Sequence, residues 1–173
     1  MDTEALQPAG RPRRTALRWV AAGAGLMLAG CGFELQRSPA LPFARIALSG
    51  FAPRSALELE LRQALQSRVA IVPTAAQADV HLRALEDTRA RVAVASTAAS
   101  QVREIQLRLR FRFRIDSGSG RSLAPDAELF IARDLSYNET QTLAKEHEEE
   151  QILRDMLSDI VQQVLRRLAA VKL

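Results

Sequence analysis

Four arginines stand two residues apart, at 108, 110, 112 and 114, with Leu109, Phe111 and Phe113 between them. In an extended chain this alternation puts Arg108, Arg110, Arg112 and Arg114 on one face, successive guanidinium groups about 6.6 Å apart. Two like charges at that distance repel by about 0.6 kcal/mol in water, and by more where the dielectric is lower. Something must offset that repulsion. One answer is structural: acids on neighbouring strands, for which Glu128 and Asp134, or Glu86 and Asp87, could serve. The other is functional: an anionic partner, either a phosphorylated lipid or an acidic protein surface, which arginine grips through paired hydrogen bonds. Nucleic acid fits poorly, because no exposed aromatic residues interleave with the row.

Catalytic side chains are scarce. His81 shares strand parity with Asp79 and Arg83, so it is expected on an exposed strand face. His147 lies within the charged run from Lys145 to Gln151, where Glu150 or Gln151 could join it one helical turn on. A solvated helix start accounts for that run without a metal. The zinc motif of two histidines flanking a glutamate, a glycine-rich phosphate loop and a nucleophile elbow are all missing from the sequence. Isolated serines have no evident base partner. The expectation is a protein that is not an enzyme and needs no metal or cofactor.

Cys31 is the single cysteine, which excludes an intramolecular disulfide. Its surroundings offer another chemistry. Arg11 to Arg18 is basic, and Trp19 to Ala29 is uncharged, apolar and rich in small residues. That run has 11 residues, whereas a helix needs about 20 to span a bilayer. A basic start, a short apolar stretch and small residues before a cut describe a secretory signal. Leu28-Ala29-Gly30-Cys31 resembles the lipobox of bacterial lipoproteins, in which the cysteine is acylated and becomes the first residue. Residues 1–30 are therefore expected to be a cleaved signal and Cys31 the lipidation site, holding the chain at a membrane that faces the periplasm. Gly32 in place of an aspartate is compatible with the outer membrane. Four of the 24 basic and two of the 20 acidic residues lie in the leader. The high isoelectric point is thus partly a property of a segment that is removed, and is weak support for a nucleic-acid partner.

The elements that position these residues follow from periodicity. Residues 31–43 read as a lipidated tether, with Pro39 and Pro42, and residues 44–173 as one domain. Ala44–Ser49 is a first strand. Ser55 is a candidate N-cap for a helix that places Leu57, Leu61, Ala64 and Leu65 on one face. Val69–Val72 is short, β-branched and closed by Pro73. Asp79–Ala95 alternates in two pieces around Glu86-Asp87-Thr88, which predicts one long strand with a bulge or two strands. Gln101–Ile115 alternates without a break, so it is a strand buried on one face only. Asp116 to Gly120 is a turn whose glycines can supply positive φ, and Leu129–Leu135 returns. From about Thr140 to Val171 the apolar period becomes helical, through Leu153, Leu157, Ile160, Val161, Val164 and Leu168, widened by Ile152 and Met156. Acids crowd its start and Arg166, Arg167 and Lys172 its end, which suits the helix dipole. A helix of about 29 residues runs about 43 Å, matching a strand of about 13 residues. The fold class expected is α+β: a two-layer sandwich of a mostly antiparallel four-stranded sheet with two helices packed on one face.

Several segments together resemble one family. Cys31-Gly32-Phe33-Glu34-Leu35 is similar to the mature start of LptE proteins, lipoproteins of lipopolysaccharide assembly. Arg103-Glu104-Ile105-Gln106-Leu107 resembles their third strand, and Arg133 to Glu139 their fourth strand and its exit. Leu143-Ala144-Lys145-Glu146, then Met156, Asp159, Gln162-Gln163 and Leu165 to Leu168, resembles their last helix. The resemblance implies an outer-membrane lipoprotein that pairs with the β-barrel LptD, plugs it and helps it assemble, and contacts lipopolysaccharide on its way to the surface. It implies no enzyme activity and no cofactor. It carries the family's lipopolysaccharide-contact lysine onto Lys145. The family's basic residue in the turn before the third strand has no counterpart in Ser96-Thr97-Ala98-Ala99-Ser100, where Arg103 or Arg91 could compensate. The alternative is a periplasm-facing outer-membrane lipoprotein that binds or inhibits another protein.

Overall fold

Ser55 caps the first helix as its side chain suggests: its hydroxyl accepts from the Glu58 backbone N–H at 3.0 Å, satisfying one of the donors a helix start leaves free. That helix, α1 (Ala56–Gln66), buries Leu57, Leu61 and Leu65. It follows strand β1 (Arg45–Ser49) and leads to the three-residue strand β2 (Ala70–Val72). A short 3-10 turn (Ala75–Gln77) precedes β3 (Val80–Ser96), β4 (Val102–Ser117), β5 (Ser122–Ser136) and the long helix α2 (Thr142–Ala169). This computed structural model describes residues 40–96, 102–136 and 142–173. The leader, Cys31, most of the tether, residues 97–101 and Tyr137 to Gln141 lie outside the described residues.

The strands form one sheet in the order β2-β1-β3-β4-β5. Strands β3, β4 and β5 make an antiparallel meander, while β1 lies parallel to both β2 and β3. The α+β class with both helices on one face is as expected, but the sheet is five-stranded and mixed, not four-stranded. The extra member is β2, and α1 supplies the crossover that a parallel β1–β2 pair requires. Its three residues are too few to show a period.

Buried side chains of α1, α2, β1, β3, β4 and β5 join one core, which includes Ile46, Leu61, Leu82, Phe111, Phe113, Ile160 and Leu168. In β4 every odd position from Ile105 to Ile115 is buried, so the arginines between them face away from the helices. In α2 the buried line runs Leu153, Met156, Ile160, Val161, Val164, Leu165 and Leu168. Met156 and Leu165 sit at its centre, while Leu157 and Ile152 pack from its margin.

Strand β3 is continuous, with its register shifted between Ala84 and Glu86. The bulge at Leu85 reverses which parity faces the helices. Before it, Val80, Leu82 and Ala84 point inward. After it, Asp87, Arg89 and Arg91 stand opposite Phe111, Leu109 and Leu107, on the helix side. Gly50 makes the close approach there: at φ +79, its Cβ would lie 2.2 Å from the Ala84 carbonyl oxygen. The β4–β5 turn divides two glycine roles. Gly120 has φ +88, whereas Gly118 is pressed against the backbone of Ala75 and Ala78, where a Cβ would lie 2.0 Å from the Ala78 carbonyl oxygen.

Candidate functional site

The arginine row is held from both sides. Arg110 lies 3.1 Å from Glu128 on β5 and 3.8 Å from Glu86 on β3, and Arg112 lies 3.6 Å from the other oxygen of Glu86. Arg114 grips Asp126 through two hydrogen bonds, of 2.5 and 2.7 Å. Those bonds hold the Asp126 carboxyl below its ordinary range and push the Arg114 guanidinium higher. Glu86 and Glu128 were legible as partners; Asp126, within the irregular start of β5, was not. Asp134 bonds Gln106 instead, at 2.7 Å, and Asp87 is turned to the other face by the bulge.

Arg108 differs from its neighbours. Its Nε donates to the Gln106 side-chain carbonyl at 2.6 Å, and among the described residues no carboxylate pairs with it. Beside it the Arg110 guanidinium lies 5.3 Å above the ring of Phe130, a cation–π contact. Phe130 is 51% exposed. Arg108, Arg110 and Phe130, with Thr88 and Ala90, line a shallow cavity of about 220 Å³. An aromatic residue does border the row, at a position the β5 alternation alone did not single out.

Lys145 is elsewhere. It lies in the first turns of α2, on the helix side of the sheet, so it does not join the arginine row. Its ammonium donates to Glu148 at 2.7 Å and to the Ser136 hydroxyl at 3.3 Å, and its side chain is only 15% exposed. Arg91 approaches the same helix, with its Nε 3.2 Å from Glu149. The bulge in β3 thus turns Arg91 toward the end of α2 that carries Lys145, while Arg103 is exposed on β4.

The two histidines sit in different surroundings, and one of them pairs with a serine. His81 is half-buried, not exposed, with Nε2 2.7 Å from the Ser49 hydroxyl, and burial lowers its pKa. His147 is exposed, 3.9 Å from Glu150. Among the described residues no group of three or more His, Cys, Asp or Glu could hold a metal ion. A cleft of about 290 Å³ lies where Arg54, Ser55 and Leu57 of the α1 start meet Asp87, Arg89 and Leu153. The Asp87 Oδ2 atom is buried without a hydrogen-bond partner.

A family model described as LptE, lipopolysaccharide-assembly, matches residues 43–168. Among solved structures the chain is similar to uncharacterized lipoprotein B from Nitrosomonas europaea: 28% identity, 80% of this chain and 91% of that one covered, TM-score 0.68. It is also similar to a minor lipoprotein from Acinetobacter baumannii, with 25% identity, 75% and 93% covered, and TM-score 0.59. The rare lipoprotein B from Shewanella oneidensis shares the fold at 24% identity, 73% and 94% covered, and TM-score 0.59. The search of curated proteins gives no significant match.

Proposed function

The chain belongs to the LptE lipopolysaccharide-assembly family, and from that premise we propose that it is an outer-membrane lipoprotein, acylated at Cys31 after removal of residues 1–30. In this reading it plugs an LptD-like β-barrel, helps that barrel assemble, and contacts lipopolysaccharide during delivery to the surface. It acts by binding and not by catalysis. The observation that carries the reading is the extent of the match: residues 43–168 run from the first core residue, Phe43, to Leu168 at the end of α2. The whole packed unit, not an isolated motif, supports the family role.

Two places are proposed for the glycolipid's phosphates. Lys145 is one; an incoming phosphate there must displace Glu148. Arg108, Arg110, Arg112 and Arg114 are the other, and Arg108 has most to offer because it gives up only a neutral glutamine. Phosphates reaching Arg110, Arg112 or Arg114 must compete with carboxylates already in place.

Affinity purification from membranes tests the partnership. A large outer-membrane barrel is expected to co-purify; recovery of the native protein solely as a monomer, in cells that make such a barrel, contradicts the plug role. Lipopolysaccharide binding by purified variants tests the contacts. Lys145→Glu is expected to weaken it by roughly tenfold or more, the scale of one lost charge-assisted bond. Unchanged binding removes Lys145 from the site. Charge reversal at Arg108 tests the sheet face in the same assay, with thermal unfolding as the control for fold.

A further inference from the structure

The start of β1, the start of β3, the β4–β5 turn and the end of α2 converge at one end of the molecule. The Ala70 N–H donates to the Ala44 carbonyl at 2.8 Å, Asp79 to Arg45 at 3.0 Å, and Gly118 to Asp79 at 3.3 Å. Arg167, Ala170 and Val171 of the α2 end line a cleft with Ile115 and Leu123 beside that turn. The chain enters at this same end, where Phe43 is buried just before β1.

The charge at this end is one-sided. Its acids are occupied: Asp79 by Arg45, Asp116 by Arg83 and Asp126 by Arg114. Arg68, Arg121, Arg166, Arg167 and Lys172 are all exposed. Among the described residues, none of these five is paired with a carboxylate. The Arg167 guanidinium stacks over Phe113 at 5.7 Å instead. Burying the ring while leaving the charge in water is a typical use of arginine. The opposite end is acidic on α2, at Glu146, Glu148, Glu149 and Glu150.

We propose that the cationic end formed by Arg68, Arg121, Arg166, Arg167 and Lys172 lies on the anionic phospholipid headgroups of the membrane that holds the tether. The inference rests on the Cys31 anchor for its geometry. Nine residues, 31–39, separate the first described residue from the membrane side, and fully extended they span at most about 30 Å. Electrostatic attraction fades within about 8 Å at physiological salt, so the cations act only if the end is drawn down to the surface. The several acyl chains expected on a lipobox cysteine supply attachment by themselves, and a basic patch adds contact with anionic headgroups. Each cation near an anionic surface strengthens partition by roughly fivefold. This end therefore fixes orientation, aiming the start of α2 away from the bilayer.

The test uses the acylated protein purified from membranes, in which Cys31 is blocked and an introduced thiol can be labelled alone. A fluorophore at Ser119→Cys reports the cationic end, and one at Glu150→Cys the opposite end. In vesicles of phosphatidylcholine with phosphatidylglycerol, the Ser119 label is expected to be shielded from acrylamide. In phosphatidylcholine alone it is expected to stay open, and the Glu150 label to stay open in both. High salt abolishes the shielding, and so does the triple variant Arg68→Glu, Arg121→Glu, Lys172→Glu, whose six lost units of charge forfeit roughly ten-thousandfold in surface partition. Equal quenching at Ser119 in both vesicles overturns the proposal, as does shielding that arises only when a protein partner is added. Failure to float with phosphatidylcholine counts against the lipid anchor, not this surface. Co-sedimentation of the same protein with phosphatidylglycerol vesicles then decides: binding supports the surface and its absence overturns it.

Discussion

The two halves of the long hairpin obey different rules. Near the chain entry, five strands lie side by side and both helices cover them, so Ile46, Leu61, Leu82, Phe111 and Phe113 lose nearly all contact with water. Beyond the bulge at Leu85, β3 has lost its neighbour β1, whose pairing ends at Arg83. There its helix-facing positions are Asp87, Arg89 and Arg91. The described buried residues of α2 begin only at Leu153. The first half is held by apolar burial on every long strand; in the second the buried face narrows to Ile105, Leu107 and Leu109 of β4 with Leu135 of β5, bordered by ion pairs. One inserted residue makes the difference, because a one-residue shift in a period-two structure sends every later side chain to the opposite face.

This contrast can be broken first in the packed half. Leu61→Ala removes a fully buried side chain from α1 and is expected to cost about 2–5 kcal/mol, measured by urea unfolding. A cost no larger than that of Arg91→Ala would mean the halves are equally packed. Gly50→Ala comes next. Its positive φ and the nearby Ala84 carbonyl leave no room for a Cβ, and strain of about 1–3 kcal/mol is expected. Hydrogen exchange then maps the boundary directly. Amides of β1 and of Leu107–Phe113 are expected to exchange through global unfolding, and those of residues 90–96 through smaller openings. Uniform protection along β3 would erase the distinction.

Arg91→Ala in the distal half is expected to cost no more than about 1 kcal/mol, because the Arg91 side chain that reaches Glu149 is half exposed. The smallest effect is one of pH. Arg114 lowers the Asp126 pKa in the folded protein. Any stability it lends is present above the ordinary carboxylate range and is lost as pH falls through the lowered value. Asp126→Asn is expected to flatten that acid limb slightly in thermal unfolding followed against pH. An unchanged limb would show the pair to be energetically neutral.

Much of the scaffold could be read from the residues. The alternation of Ile105 to Ile115 survives intact because β4 is central and one of its faces meets the helices throughout. Ser55 was legible because capping is local chemistry. The β3 bulge was only half legible: Glu86-Asp87-Thr88 signalled an interruption, but not which parity would emerge facing inward. Asp126 and Phe130 were missed as companions of the row because register sets cross-strand pairs, and bulges in β5 shift it between Phe113 and Asp116. Gly118 was assigned a turn conformation, whereas its role is a backbone contact with residues distant in sequence. The separation of Lys145 from the arginines follows from opposite faces of the sheet, which no motif encodes.

Depleting the protein from cells that produce it tests the assembly role most directly, with folded LptD-like barrel and surface-exposed lipopolysaccharide followed over time. Family membership and the packed unit it covers predict that the barrel fails to reach its folded form and that newly made glycolipid stops arriving at the surface. Normal barrel folding together with undiminished surface lipopolysaccharide, after the protein is gone, would contradict that role.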